Sequence, residues 1–167
     1  MAGALIVTAE LGQSDFSWIE GLRRTHYPAE RNQVPAHLTI FHALAPSAET
    51  ELRTRLGRIV RQTAPTAIIA GLMDLGGGVA FRIVSPELDR IRSELAEGLH
   101  GLFGAQDSGG WRPHITIQNK VPPKIARALK DSLERTFSPR PLAIAGLGLH
   151  RYLDGPWERL AAYAFRA

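Results

Sequence analysis

The chain contains the pattern His-x-Thr twice, as His37-Leu38-Thr39-Ile40 and His114-Ile115-Thr116-Ile117. There are six histidines in 167 residues, and two of them fall in these matched settings, each shortly after a proline. On a β-strand residues i and i+2 share a face. His37 and Thr39 therefore point one way and Leu38 and Ile40 the other; His114 and Thr116 likewise oppose Ile115 and Ile117. Each motif buries an apolar pair and presents an imidazole beside a hydroxyl. If the two polar faces meet across one cleft, two histidines and two threonines surround a single small volume. Such a set suits in-line displacement at phosphorus. One neutral imidazole accepts a proton from water or a hydroxyl, and the other, protonated, gives one to the leaving oxygen, because the unperturbed imidazole titrates near working pH. The hydroxyls donate to non-bridging phosphate oxygens, where charge concentrates. One such motif is what any strand histidine produces; a matched pair calls for a common purpose. The residues alone leave open which histidine is base and which is acid.

Further residues are candidates for contact with a ligand. Phe41 shares the face of His37 and Thr39 by alternation, where it would line the far end of the cleft and stack on a base; core packing is the competing reading. Arg112, two residues before His114, would share its face if that strand began early, although Pro113 intervenes. Tyr152 and Arg151, at the end of a later strand, would border the cleft. His42, five residues after His37, should face the opposite way and serve structure. His26, His100 and His150 are expected at the surface. A metal is not expected: zinc needs several converging ligands, and no acidic residue lies near either motif in sequence. The Gly76-Gly77-Gly78 run lacks the Lys-Ser/Thr that a phosphate loop requires.

The elements that must position these residues alternate along the chain. Residues 3–9 read as a strand and 15–27 as a helix with Phe16, Ile19, Leu22 and Arg23 at helical spacing and Ser14 or Asp15 as cap. Strand 36–44 carries the first motif. Helix 48–62 follows, with Ser47 as N-cap, and then strand 66–75. After the glycine turn the order repeats: strand 79–85, helix 85–103 with Ser85 as N-cap and Pro86 at its first position, strand 114–120 with the second motif, and helix 122–137. Strands over 141–152 and 157–166, joined by a turn at 153–156, close the chain. The motifs are 77 positions apart, and a shift of about that size lays strand on strand and helix on helix. The expected fold class is therefore α+β, a duplicated β-α-β-α-β unit. Its halves are approximately 1–76 and 77–167, within one domain over 1–167, with the termini free to exchange between lobes.

Composition narrows the function classes. There is no cysteine, which excludes disulfides, thiol catalysis and Cys-zinc sites. The net charge is +4, and only Lys120, Lys124 and Lys130 of the 20 basic residues are lysine, so arginine dominates. Arginine forks match phosphate oxygens. The first residues are apolar without a basic leader, and the longest weakly polar stretch is broken by Pro65, Asp74 and glycines; no membrane span is expected and a cytoplasmic location is.

The segments "PAHLTIFHAL" and "WRPHITIQNKV", in the two halves of a chain of this size, resemble the two-histidine (2H) phosphoesterase superfamily, in particular its bacterial RNA 2′,5′-ligase-like and cyclic phosphodiesterase branch. The resemblance extends over nearly the whole chain by order of elements. It implies a bilobal fold with two antiparallel sheets around a central cleft and helices outside. It also implies metal-free, cofactor-free hydrolysis of 2′,3′-cyclic phosphates, or cleavage or formation of 2′,5′ phosphodiester linkages. The family's catalytic histidines fall on His37 and His114 and its phosphate-binding hydroxyls on Thr39 and Thr116. The expected partner is a small nucleotide or RNA-end substrate, bound by a monomer. The alternative is an RNA-end or nucleotide-binding module of the same fold without turnover.

Overall fold

The computed structural model describes residues 3–166. The outermost residues of the expected 1–167 domain therefore lie outside the described part. Each half delivers the anticipated order. The first runs β1 (Leu5–Leu11), α1 (Gln13–His26), β2 (Leu38–Leu44), α2 (Glu49–Ile59) and β3 (Thr66–Asp74). The second runs β4 (Val79–Val84), α3 (Pro86–Glu97), the single turn α4 (Ala105–Ser108), β5 (His114–Gln118), α5 (Pro123–Glu134) and β6 (Arg140–Tyr152), with β7 (Trp157–Ala164) added at the end. The class is α+β with antiparallel strand pairing throughout the named strands.

The third strand of each half crosses over. β3 pairs with β4, which pairs with β5; β6 pairs with β1, which pairs with β2. Thus β2-β1-β6 and β5-β4-β3 form two matching three-stranded units, each completed by a strand from the other half. β6 is long enough to join them. Its first residues, 140–143, pair with β3, and residues 144–151 pair with β1 while β7 covers the other edge. The exchange places β2 and β5, the two motif-bearing strands, at opposite ends of the path.

Apolar alternation drives this arrangement. Leu38, Ile40, Ile115 and Ile117 are fully buried in one continuous core with Leu5, Val7 and Leu147. Burying a side chain of this size contributes roughly 1.5–3 kcal/mol, so each motif strand is anchored by its apolar face and its polar face is fixed by default. Of the expected caps, Ser85 is confirmed: its hydroxyl accepts from the Leu88 N–H at 3.1 Å and donates to the Thr66 carbonyl. Neither Ser14, Asp15 nor Ser47 caps a helix. α1 starts earlier, from Gly12, and a 3-10 turn at Pro46–Ala48 precedes α2. Asp15 is used instead to accept the Ala143 N–H of β6 at 2.8 Å. Helix α3 stops at Glu97 with Gly98 at its C-cap, short of the expected residue 103.

Candidate functional site

His37 immediately precedes β2, and His114 is the first residue of β5. Their local geometry is the same. His37 Nδ1 lies 2.9 Å from the Pro35 carbonyl, and His114 Nδ1 lies 2.8 Å from the Arg112 carbonyl, each two residues upstream. A carbonyl only accepts, so both Nδ1 atoms carry hydrogen. In the neutral rings Nε2 is then left as the free base. The lead-in segments Pro35-Ala36 and Arg112-Pro113 thus set the tautomer of each imidazole, a role played by the backbone.

The two motifs are fastened to each other by a reciprocal clasp. Arg23 of α1, 2% exposed, reaches across to β5 and donates from Nη1 to the Thr116 carbonyl at 2.6 Å. Its Nη2 donates to the Val34 carbonyl at 2.6 Å and to Asn32 Oδ1 at 2.7 Å, in the segment leading to His37. In the other direction Trp111, just before the second motif, donates its indole N–H to the Thr39 carbonyl at 3.1 Å. Each motif threonine therefore has its carbonyl held by a side chain from the opposite half. Burial disfavours the Arg23 charge, which Glu20 and the Tyr27 ring beside it offset in part. Arg23 was legible only as a charged residue on the otherwise apolar stripe of α1; that irregularity was the available signal.

The free edge of β2 is sealed by the stretch that leads into the second motif. Asp107, 2% exposed, accepts from the His42 and Ala43 backbone N–H groups, both at 2.8 Å, and lies 3.1 Å from His42 Nδ1. Burial opposes its ionisation, but these hydrogen bonds prevail and hold its carboxyl below the usual range. Arg92 donates to the Ile40 and Asp107 carbonyls at 3.1 and 2.6 Å. His42 thus serves structure, as expected.

A cleft of about 580 Å³ opens beside His37, lined among others by Thr8, Glu10, His150, Trp157 and Arg159. The Trp157 ring packs between two imidazoles, 4.7 Å from His37 and 5.5 Å from His150 between ring centroids. Thr8 Oγ1 is 3.0 Å from His150 Nε2 and donates to Glu10 at 3.3 Å; Arg159 pairs with Glu10 at 2.5 Å. Gly148 makes this cluster feasible: a Cβ there would stand 2.7 Å from Thr8 Oγ1 and 2.9 Å from His150 Nε2. Burial pushes the His37 pKa down to about 4; the Pro35 carbonyl opposes this, and the charges of Arg23, His150 and His114 add to it. Burial likewise lowers His150, opposed by Glu10. His150 is therefore not the surface residue expected from its place at a strand end. It is 8% exposed, because β7 adds a further strand over β6.

Three candidates from sequence need revision. Phe41 is fully buried and packs 5.9 Å from Phe103, with the Arg92 guanidinium 4.8 Å above it. The β1–β2 register shifts between Val7↔Phe41 and Thr8↔Thr39, so alternation breaks after Ile40 and Phe41 turns into the core. Arg112 is exposed and precedes β5, which starts only after Pro113; its carbonyl, not its guanidinium, is in contact with His114. Tyr152 is half-buried and does not line the cleft, whereas Trp157, its partner across the β6–β7 ladder, does.

The 2′-5′ RNA ligase superfamily model matches residues 12–156, the greater part of the chain. The chain belongs to this superfamily. No curated protein sequence matches it significantly. Among solved structures, this superfamily member is similar to a phosphoesterase (20% identity, TM-score 0.64, all of both chains covered) and to TT0787 of Thermus thermophilus (17%, 0.66, 98% of each). It is also similar to E. coli LigT solved with 3′-AMP (21%, 0.61, all of both chains covered). These likenesses show the LigT-like fold, and the superfamily match places the protein among 2H phosphoesterases. Among the described residues no helix is long and apolar enough to cross a membrane.

Proposed function

We propose that this superfamily member is a metal-independent phosphoesterase that hydrolyses 2′,3′-cyclic phosphates or cleaves 2′,5′ linkages of nucleotides or RNA ends. The observation that carries this is the matched Nδ1–H···O=C bond at His37 and His114, which leaves both Nε2 atoms available, on motif strands that the Arg23 and Trp111 side chains hold together. Burial keeps His37 neutral at neutral pH, so it is assigned as the base. Its Nε2 takes a proton from water as the water oxygen bonds to phosphorus. The P–O bond to the leaving ribose oxygen breaks, and protonated His114 supplies that oxygen with a proton. Thr39 and Thr116 hydroxyls donate to the non-bridging oxygens. The anionic phosphate beside His37 raises its pKa toward working pH, which strengthens it as a base when substrate is bound. The nucleoside lies in the cleft beside Trp157; LigT, of the same fold, has been solved with 3′-AMP, NADP+ and ATP.

Among the described residues no group of three or more His, Asp and Glu side chains converges as a metal site would. The test is a panel of nucleoside 2′,3′-cyclic phosphates, 2′,5′-dinucleotides and RNA with cyclic-phosphate ends, assayed with and without EDTA. Turnover that persists in EDTA is expected. Binding without turnover across the panel, or activity lost to EDTA and restored by a divalent ion, would overturn the proposal.

A further inference from the structure

Beyond the cleft beside His37, the β5-β4-β3 unit carries an unused cation next to the second histidine. Arg82 of β4 is the direct cross-strand partner of His114, so the two side chains share a face. Ile115 and Phe81, the next pair along, face the core and are buried, which fixes the orientation. Arg82 is exposed and has no hydrogen-bond or ion-pair partner among the described residues. Its guanidinium lies over Gly71 of β3, where an added Cβ would stand 3.2 Å from Nη2; the glycine makes room for the fork to lie flat on the sheet. The adjacent row on this face is apolar and open. Val84 and Ile68 are cross-strand partners, 43% and 48% exposed, and Ile68 also pairs with the exposed Pro141. On the inner side of His114 the same face holds Thr116 and the fully buried Ala80. A track therefore leads outward: the buried Ala80 with the half-buried Thr116, then His114 with Arg82, then an apolar shelf.

Resting on the phosphoesterase reading, we infer that Arg82 binds a second phosphate, carried by the nucleotide on the leaving side of the scissile bond, with Val84, Ile68 and Pro141 as the shelf for its base. The free fork matches phosphate in a bidentate way. Its place beside His114, the proposed acid, puts it where the leaving group departs. The preferred substrate class is then an oligonucleotide extending past the cleaved linkage. The probes are a 2′,5′-dinucleotide with and without a terminal phosphate on its leaving nucleoside. Hydrolysis is measured with the wild-type protein, and binding by calorimetry with His37→Ala, which removes the proposed base. The added phosphate is expected to improve kcat/KM and Kd about ten- to a hundredfold, the range for a hydrogen bond to a charged group. Arg82→Gln should remove most of that preference and Arg82→Lys should keep part of it. The salt dependence of binding should flatten in Arg82→Gln, because a charge–charge contact screened by salt is lost. No preference in the wild type, or a preference that survives Arg82→Gln, overturns the inference while leaving the phosphoesterase intact. An Arg82-dependent binding preference without any turnover sinks the enzymatic reading and keeps the phosphate site.

Discussion

Trp157 is the lever on His37. The indole stands 4.7 Å from the imidazole, on a strand added after the duplicated unit is complete, and burial is the main cause of the low His37 pKa. Replacing it by alanine lets water reach the ring and should raise that pKa from about 4 toward the ordinary 6.5. One pKa unit corresponds to about 1.4 kcal/mol, so the whole displacement represents roughly 3 kcal/mol between protonation states. Pro35, Arg23, His150 and His114 all stay in Trp157→Ala, so a partial recovery of about one unit or more is expected. The folded pKa lies below the unfolded one, so the folded state favours the neutral imidazole. Stability from this group is therefore complete above about pH 6.5 and is lost as pH falls toward 4. Trp157→Ala should weaken that acid sensitivity even though it removes the indole's packing against His37 and His150. The assay is an NMR titration of the His37 ring protons, which needs no substrate, with urea unfolding at about pH 7.5, above the window, and about pH 4.5, near its lower end, for both proteins. A His37 pKa that is unchanged or lower in Trp157→Ala would refute the argument, because burial by this ring would then not be its cause.

Removing the clasp should be felt at both motifs: Arg23→Gln leaves the part-buried carbonyls at Thr116 and Val34 short of donors, each costing up to about 1–3 kcal/mol, and should depress kcat well beyond any change in KM. Arg23→Lys keeps the charge but not the fork, so it should also fail to restore kcat, as steady-state kinetics with thermal melts will show. Thr39→Val and Thr116→Val should keep the fold and reduce kcat/KM by the equivalent of about 1–3 kcal/mol; unchanged values in both would make the hydroxyls structural. His37→Ala and His114→Ala should each cost about 10²–10⁴-fold, and the double variant clearly less than their product, because either loss already disables the concerted transfer. A nitrophenolate leaving group should rescue His114→Ala and not His37→Ala, the reverse result reassigning acid and base.

The two His-x-Thr motifs, the order of elements and the duplicated plan were legible because they rest on local rules. Alternation fixes which side chains share a face, and the buried Leu38, Ile40, Ile115 and Ile117 force His37, Thr39, His114 and Thr116 to the other. Other features depended on neighbours distant in the chain. The bulge that turns Phe41 inward arises from the register between β1 and β2, and a change of one residue in register reverses a side chain. Arg23 meets Thr116 93 positions away and Trp111 meets Thr39 72 positions away, bonds that exist only once the halves are packed. His150 becomes a cleft residue because β7 covers it, and the free Arg82 sits beside His114 because β4 and β5 pair in that register. The sequence alone determined which groups are chemically able to act and on which face of a strand each lies. Tertiary structure decided their tautomers, their proton affinities and their companions, because desolvation and charge interactions sum over everything nearby in space, whatever its distance along the chain.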